Sequence, residues 1–419
     1  MSSTQPLTHT TQEQEQPRSS LWRNRDFVLL WSGQVVSTLG TRISTLALPL
    51  LVLALTHSPA QTGLVAAIQS LPYLLFGLPA GTFIDRWNRK TAMISCDLVR
   101  WLVLGTIPIA FVLGRLSMPQ LYTAAFVEGT ASMLFGLTQV SSIPRVVSAR
   151  HIPQANALNE LSESTASLLG PALGGLIIRL ANSTISGAMI AYLVDSLSYL
   201  VSALSLRLIR VPFQAERVRA AGRVTWHDLA AGLHFLWQQR LLRIMVLLTM
   251  TVNFLQRLLT LVIIVFAQHL HIDDPTIALI VSLGGSGGLV GGFCALWLSS
   301  RLRFGQIIIG SVLIWTLAAL LCALASSALL LIAGGILMNL MWPVYGVALI
   351  SYRQSLAPDR LQGRVNSAFR WLSFGSESLG AASIGLLLLW LTPQNVLWLV
   401  TGGLAVSVAV VSCTALRRA

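Results

Sequence analysis

Charged residues are scarce in this chain. Only 10% of its 419 residues are Asp, Glu, Lys or Arg, whereas a soluble domain carries about 25%. Hydrophobic residues make up 54% of the chain, and the mean hydropathy is +0.71. This composition excludes an ordinary soluble protein and predicts a chain that crosses a membrane many times.

Cysteines are equally few, and the sequence motifs of soluble catalysis are missing. The four cysteines lie in or at the ends of apolar segments without paired spacing, so we expect packing residues rather than disulfides or metal ligands. No Gly-X-X-X-X-Gly-Lys-Ser/Thr phosphate-binding loop is present, so the sequence does not indicate a process driven directly by ATP hydrolysis. The glycine run 284–288 lies within an apolar segment, where close helix packing is expected. We therefore expect neither an enzyme nor a cofactor or metal site.

Long apolar segments recur along the whole chain. A segment of about 20 apolar residues can cross a hydrocarbon core roughly 30 Å thick. Each crossing segment must be helical, because lipid offers no hydrogen-bond partner to an exposed backbone amide. We predict an all-α membrane protein with twelve transmembrane helices in two six-helix bundles. The predicted spans are 27–55, 61–82, 91–113, 118–140, 155–180, 186–208, 241–268, 276–298, 306–326, 329–351, 364–391 and 394–415.

The positions of the basic residues explain the net charge of +13. Most of the 28 Lys and Arg residues lie at span ends or in loops on the side of the N-terminus. The exceptions are Arg115 and Arg179 on the other side, and Arg42, Arg100 and Arg257 within spans. This asymmetry follows the positive-inside rule and predicts that both termini are cytoplasmic. A nucleic-acid-binding patch would cluster on one soluble domain, so we expect no nucleic-acid partner.

Polar segments divide the chain into four parts. These are a cytoplasmic tail at 1–26, a bundle at 27–208, a cytoplasmic central loop at 209–240, and a second bundle with a short tail at 241–419. The N-terminal tail has no apolar core of the signal-peptide type, so we expect the first span to direct insertion. In the central loop, Thr225 predicts an N-cap for a helix whose apolar face lies in the membrane surface. A solvated linker helix is the alternative.

The two halves of the chain resemble each other weakly. An offset of 215 residues aligns Arg42 with Arg257, and an offset of 210 aligns Gly170 with Gly380. Together with the equal helix counts, these matches predict a duplicated fold of the kind found in rocking-type transporters.

The loop after the second span carries a concentrated charge pattern. Its spacing is Gly-X-X-X-Asp-Arg-X-X-Arg-Lys, formed by Gly81, Asp85, Arg86, Arg89 and Lys90. An ordinary positive-inside loop would explain the cations but neither the acid nor the glycine. The pattern resembles the signature loop between helices two and three of the major facilitator superfamily. The resemblance implies a cytoplasmic gate in which the acid meets the start of the eleventh helix, near 363–365, held by its positive end.

A second motif lies in the fifth span. It consists of Gly170, Pro171, Gly174 and Gly175, and it resembles the antiporter motif of exporters in this superfamily. By itself the motif predicts a kinked helix that packs closely, because proline removes a backbone hydrogen bond and glycine lets helices approach. The region 24–175 also resembles the macrolide and multidrug efflux branch, which includes a siderophore exporter. The arginine motif that many proton-coupled relatives carry in helix four is replaced by residues 126–129, which include an acid.

Several charges lie near the membrane midplane, where they normally face a cavity or a partner. They are Arg42, Glu128, Asp195, Arg257 and Glu377. In the superfamily, helices one, four, seven and ten line the central cavity, which implies that Arg42, Glu128 and Arg257 lie in the site. Glu128 is the first candidate for proton coupling, with a static pair to Arg42 as the alternative. We expect Asp195 to be structurally paired, while Glu377 could serve either role.

Other candidates complete the predicted site. Asp97 and Arg100 are three residues apart on one helical face, so we expect them to pair with each other or with the loop. Binding of amphipathic compounds requires aromatic and amide groups on cavity helices. The candidates are Gln34, Asn253, Gln256, Asn339, Trp342 and Tyr345.

These features and the resemblance predict a secondary active exporter. Its substrates would be amphipathic drugs or related small molecules, exchanged for protons by alternating access. We expect a monomer in the cell membrane whose partners are its substrate, protons and the lipid bilayer. A dedicated exporter or flippase of one metabolite, siderophore or lysolipid is the alternative, and a non-transporting membrane receptor is a third possibility.

Overall fold

The computed structural model describes residues 21–84, 87–148, 151–181, 183–213, 226–356 and 359–414. After a short 3-10 turn at Leu21–Arg23, these residues form thirteen α-helices. The helices are α1 (Arg25–Thr56), α2 (Pro59–Ile84), α3 (Arg89–Val112), α4 (Met118–Val146), α5 (Ile152–Leu180), α6 (Thr184–Leu208), α7 (Trp226–Gln238), α8 (Arg240–His269), α9 (Asp274–Arg301), α10 (Phe304–Ala323), α11 (Ala328–Leu356), α12 (Asp359–Trp390) and α13 (Pro393–Ser412).

Twelve of these helices, α1–α6 and α8–α13, correspond to the predicted spans, which confirms the all-α membrane fold. Within the described ranges, ten of them are long and apolar enough to cross a membrane by length and composition. The other two, α2 and α4, have 26 and 29 residues. The helices α4, α11 and α12 extend about five residues beyond the predicted spans, because backbone hydrogen bonding continues into polar sequence where the apolar run has already ended.

The helices pack as two similar six-helix bundles. In the first bundle α1 contacts α5 and α6, α4 contacts α2 and α3, and α3 contacts α6. In the second bundle α8 contacts α12 and α13, α11 contacts α9 and α10, and α10 contacts α13. Each pair of the first bundle therefore recurs in the second, as the duplicated fold predicts.

The bundles meet through α2 with α12 and through α5 with α9. We call the face where α1 begins and α13 ends the terminal face, and the other the opposite face. At the opposite face, a Cβ on Gly63 of α2 would lie 2.7 Å from the backbone nitrogen of Gly385 of α12. There too, the Thr184 hydroxyl of α6 donates to Asp274 Oδ2 of α9 at 2.5 Å. These contacts hold the two bundles together at the opposite face.

The linker helix α7 packs on protein. Leu236 is fully buried in the core of the second bundle, and a Cβ on Gly232 would lie 2.6 Å from the Arg364 carbonyl oxygen of α12. The expectation that the apolar face of this helix lies in the membrane surface is therefore wrong for Leu236, because this side chain packs in the core of the second bundle. The predicted N-cap, Thr225, lies outside the described residues.

Candidate transport cavity

A cavity of about 450 Å³ lies between the two bundles. The first bundle contributes residues of α1, α2 and α5, and the second contributes residues of α8, α9, α11 and α12. The size falls within the range of about 300–1,000 Å³ that is usual for small-molecule sites. Because both bundles form its walls, rocking one bundle against the other would change its shape.

Two arginine–glutamate pairs line this cavity. Arg42 of α1 donates to Glu163 of α5, and Arg257 of α8 lies 3.6 Å from Glu377 of α12. All four residues line the cavity and their side chains are partly exposed. The pairs occupy equivalent helices of the two bundles, so each bundle contributes one cation and one anion to the cavity wall.

A glycine lets each arginine approach the neighbouring helix. A Cβ on Gly170 of α5 would collide with the Arg42 Cβ. In the second bundle, a Cβ on Gly380 of α12 would lie 2.7 Å from the Phe254 carbonyl oxygen and 3.2 Å from the Arg257 Cβ. The residues aligned by the sequence offsets thus make equivalent helix contacts.

The other residues of the glycine–proline motif lie on the sides of α5 that face α1, α9 and the cavity. Pro171 lines the cavity within a continuous α5. A Cβ on Gly174 would lie 3.2 Å from the Ile43 carbonyl oxygen of α1, and a Cβ on Gly175 would collide with Ala278 of α9. The glycines therefore bring α5 close to α1 and α9.

Four of the predicted amide and aromatic groups line the cavity. These are Asn253, Gln256, Asn339 and Trp342. The Asn253 amide donates to the Ser373 carbonyl at 3.1 Å, but its Oδ1 and the Gln256 Nε2 have no hydrogen-bond partner among the described residues. The Trp342 side chain is about half exposed, at 48%. The two unpaired amide atoms are themselves buried, whereas the aromatic surface beside them is open to the cavity.

Two other predicted binding residues are not among the cavity-lining residues. Gln34 is buried and donates to Ser202 of α6 at 3.2 Å. Tyr345 is buried against Trp315, and its hydroxyl is hydrogen-bonded to Thr249 at 2.8 Å. The helices are the expected ones, but these side chains face neighbouring helices of their own bundle.

Glu128 was expected in the central cavity, but it lies inside the first bundle. It is buried on α4, accepts from Gln69 Nε2 at 2.8 Å, and accepts from the Ser132 hydroxyl at 2.5 Å. A static pair with Arg42 is also wrong, because Arg42 pairs with Glu163 across α1 and α5. Gln69 lines the cavity and separates Glu128 from it.

Two further buried charges of the first bundle form an ion pair. Arg100 donates to Asp97 on the same face of α3. Its guanidinium also lies over the Phe135 and Tyr199 rings, 4.4 and 4.3 Å from their centroids. This buried pair therefore connects α3 to α4 and α6.

Asp195 of α6 is buried and paired with hydroxyl groups. The Ser44 hydroxyl of α1 donates to its Oδ2 at 2.5 Å, and that of Ser198 lies 3.5 Å from its Oδ1. Of the ion pairs among the described residues, none involves Asp195.

The signature loop is described only in part. Gly81 lies near the end of α2, and Asp85 and Arg86 lie outside the described residues, so the contact proposed for the acid does too. Arg89 is the first residue of α3. Lys90 donates to the Ile209 carbonyl at 2.6 Å and to the Arg207 carbonyl at 3.2 Å. These carbonyls lie at the end of α6, where a cation is favourable.

Two acids of the cavity wall escaped sequence analysis. Glu160 and Glu163 both lie on α5 and line the cavity. No offset indicated Glu163, because the 210 residues that align Gly170 with Gly380 on these helices map it onto Ser373 rather than Glu377. Gln69 was not indicated either, because an amide within an apolar helix has many possible partners.

Known proteins share this architecture. At the sequence level, Multidrug efflux pump Tap of Mycobacterium tuberculosis (strain ATCC 25618 / H37Rv) is 26% identical over 87% of each chain. Macrolide efflux protein A of Streptococcus pyogenes is 22% identical over 92% of this chain and 94% of that one. The crystal structure of the nucleoside transporter NupG has the same fold, with a TM-score of 0.74 and 14% identity over 94% of this chain and 99% of that one.

The family model described as Major Facilitator Superfamily matches residues 30–381, which is most of the chain. The match includes α2–α11 and most of α1 and α12, so it covers most of every helix that lines the cavity, and it ends before α13. The chain is a multi-pass membrane transporter and belongs to the major facilitator superfamily.

Proposed function

We propose that this transporter exports amphipathic drugs or related small molecules in exchange for protons. The observation that carries the proposal is the cavity between the bundles, which combines apolar walls and a half-exposed Trp342 with two arginine–glutamate pairs. An apolar body can pack on such walls while a polar or charged group contacts the paired side chains. The names of two relatives, a multidrug pump and a macrolide efflux protein, support the same substrate class.

Transport would proceed by alternating access in the cell membrane. In this proposal the chain is a monomer with both termini in the cytoplasm, and bundle 27–208 rocks against bundle 241–419 about the cavity. The contacts between the bundles at the opposite face would open in one state. The loop at Asp85 would close the cytoplasmic side in that same state.

A dedicated exporter or flippase of one metabolite, siderophore or lysolipid is the second candidate. The amide side chains of Asn253, Gln256 and Asn339 in the cavity wall favour it, since polar groups at fixed positions select one ligand. Transport of several unrelated compounds would contradict this alternative. A receptor that kept the fold would transport none.

The test is transport in proteoliposomes under an imposed pH gradient, with ethidium and erythromycin as separate probes. We expect the native chain to move both probes and to stop when an ionophore collapses the gradient. Glu128→Gln should abolish gradient-driven transport, whereas the control Asp273→Asn, which changes an exposed acid, should not. Transport whose rate does not depend on the pH gradient would contradict proton exchange. If correctly folded protein moves neither probe, the drug-export proposal is wrong.

A further inference from the structure

A second, smaller pocket lies inside the first bundle, apart from the central cavity. Its volume is about 30 Å³, and a water molecule needs roughly 10–15 Å³ measured in this way. The pocket lies among α1, α2, α3, α4 and α6. Its polar lining consists of Thr41, Ser44, Thr45, Gln69, Glu128, Tyr192 and Asp195.

Two carboxylates from different helices face this pocket. Glu128 is 6% exposed and Asp195 is 1% exposed. Tyr192 lies on the same wall and is 4% exposed, yet its hydroxyl has no hydrogen-bond partner among the described residues. This hydroxyl is not among the fully buried polar atoms that lack a partner, so it is accessible to a water or an ion in the pocket.

The charges around the pocket do not balance. The described buried charges of α1–α6 are Asp97, Arg100, Glu128 and Asp195. Arg100 pairs with Asp97 and also donates to the Ser132 hydroxyl at 3.4 Å, and that hydroxyl donates to Glu128. The other titratable groups near the two acids are the phenols of Tyr192 and Tyr199, while the α1 and α2 walls present hydroxyls and the Gln69 amide. Among the described buried charges, one cation therefore faces three carboxylates, and such an excess in a bundle core is unfavourable unless the acids bind a cation or a proton.

The pocket and the central cavity share one wall. Thr45, Leu48 and Gln69 line both spaces. The Gln69 amide donates to Glu128 from this wall. The α4 backbone packs closely against this wall, since a Cβ on Gly129 would collide with the Gln69 carbonyl oxygen. The Gln69 side chain is therefore the group that stands between Glu128 and the cavity.

The second bundle has no equivalent of these acids. Offsets of 210 to 215 residues map Glu128 onto 338–343 and Asp195 onto 405–410, and neither range contains an acid. The two bundles share their helix packing and their cavity pairs, so this difference does not come from the fold. The two acids are therefore a feature of the first bundle alone and not part of the duplicated fold.

We propose that this pocket is the proton-binding site of the transporter, formed by Glu128 and Asp195 together, with Tyr192 as a positioning residue. A carboxylate oxygen takes a proton from cavity water across Gln69, forming a neutral acid and leaving hydroxide to the bulk. The same O–H bond breaks when the site meets the other side of the membrane, and the proton passes to water on that side. Substrate and proton then occupy separate spaces. The inference deepens the proposed function and rests on it for the direction of transport.

The test uses infrared difference spectra of the full-length protein in lipid, which detect the C=O band of a protonated carboxyl without any substrate. We expect the native chain to show this band at neutral pH. Glu128→Gln and Asp195→Asn should each remove part of it, and the double substitution should remove the remainder. Tyr192→Phe keeps the ring and should shift the frequency of the band. The control Asp273→Asn should leave the band unchanged.

Three results would overturn the proposal: no band in the native protein, a band that survives the double substitution, or a band that sodium chloride abolishes at constant pH where choline chloride does not. The last result would identify a sodium site. Should the acid variants not fold, Tyr192→Phe still decides the outcome, since an unshifted band contradicts a carboxyl in this pocket. A confirmed band without gradient-driven ethidium transport would reject the proposed function alone. Gradient-driven transport with an unchanged band in the variants would reject only this site.

Discussion

Arg257 of α8 lies 3.6 Å from Glu377 of α12, in the wall that the second bundle contributes to the central cavity. The first bundle repeats the pair with Arg42 and Glu163 on its equivalent helices. Each pair joins two helices of the same bundle. The two charged pairs therefore hold together helices of one bundle each, and they do not depend on contacts between the bundles.

Removing one member of such a pair should impair transport more than removing both. Arg257→Gln leaves Glu377 as an unpaired anion at membrane depth, and we expect ethidium kcat/KM to fall by about tenfold, equivalent to about 1.4 kcal/mol. Arg257→Gln combined with Glu377→Gln should recover part of the loss. Transport kinetics in proteoliposomes give the kcat/KM of the single and the double variant. Equal loss in the single and double variants would show that the arginine acts alone.

Gly170→Ala should destabilise the protein, because the added methyl group collides with Arg42. Overpacking of this kind typically costs about 1–3 kcal/mol. Gly136 is a matched control on α4, since a Cβ there meets nothing within 4 Å. Gly136→Ala should be neutral or slightly stabilising. Thermal unfolding in detergent compares the two variants, and equal melting temperatures would contradict the close contact.

Trp342→Ala should weaken substrate binding without unfolding the protein. The ring is about half exposed in the cavity wall, so its loss removes an aromatic surface, and we expect the KM for ethidium to rise by roughly tenfold. Trp390→Ala is the control, because that side chain is 88% exposed and is not among the cavity-lining residues. A similar KM change in both variants would argue against a role for Trp342 in binding.

Cross-linking α6 to α9 should stop transport. The side chains of Thr184 and Asp274 meet at 2.5 Å across the two bundles at the opposite face. In the Thr184→Cys, Asp274→Cys double variant, we expect oxidation to abolish ethidium transport and a reductant to restore it. Each single variant, treated identically, should continue to transport. Full activity of the cross-linked protein would mean that this contact does not need to open.

Arg100 should be critical for the stability of the first bundle. Arg100→Met leaves Asp97 buried without its cation, and breaking a buried pair in this way costs about 3–5 kcal/mol. The further change Asp97→Asn should recover much of that loss, because it removes the stranded charge. Denaturation of the two variants in detergent provides the comparison. A double variant no more stable than Arg100→Met would indicate that the cation–π contacts to Phe135 and Tyr199 dominate.

The helices and most of the candidate wall could be predicted from the sequence, but the partners of the charges could not. Arg42 and Arg257 were placed in the cavity from their depth and from the cavity helices that the family resemblance implies, and both line it. Glu128 was placed beside Arg42, whereas it bonds to Gln69 within its own bundle. Depth along a helix follows from counting residues. The direction in which a side chain points from the helix axis can be predicted only when one face of the helix differs from the others in polarity. An almost uniformly apolar helix has no such face.

The sequence by itself determined that this chain is a twelve-helix transporter of the major facilitator superfamily. Lipid requires every spanning segment to be helical and apolar, so composition and segment length were sufficient, and the charged loop and glycine motif indicated the family. Only the tertiary structure decided that Arg42 pairs with Glu163 and that Glu128 and Asp195 face a separate pocket. A charge inside the membrane can pair with any neighbour within reach, and helix packing determines which neighbour that is.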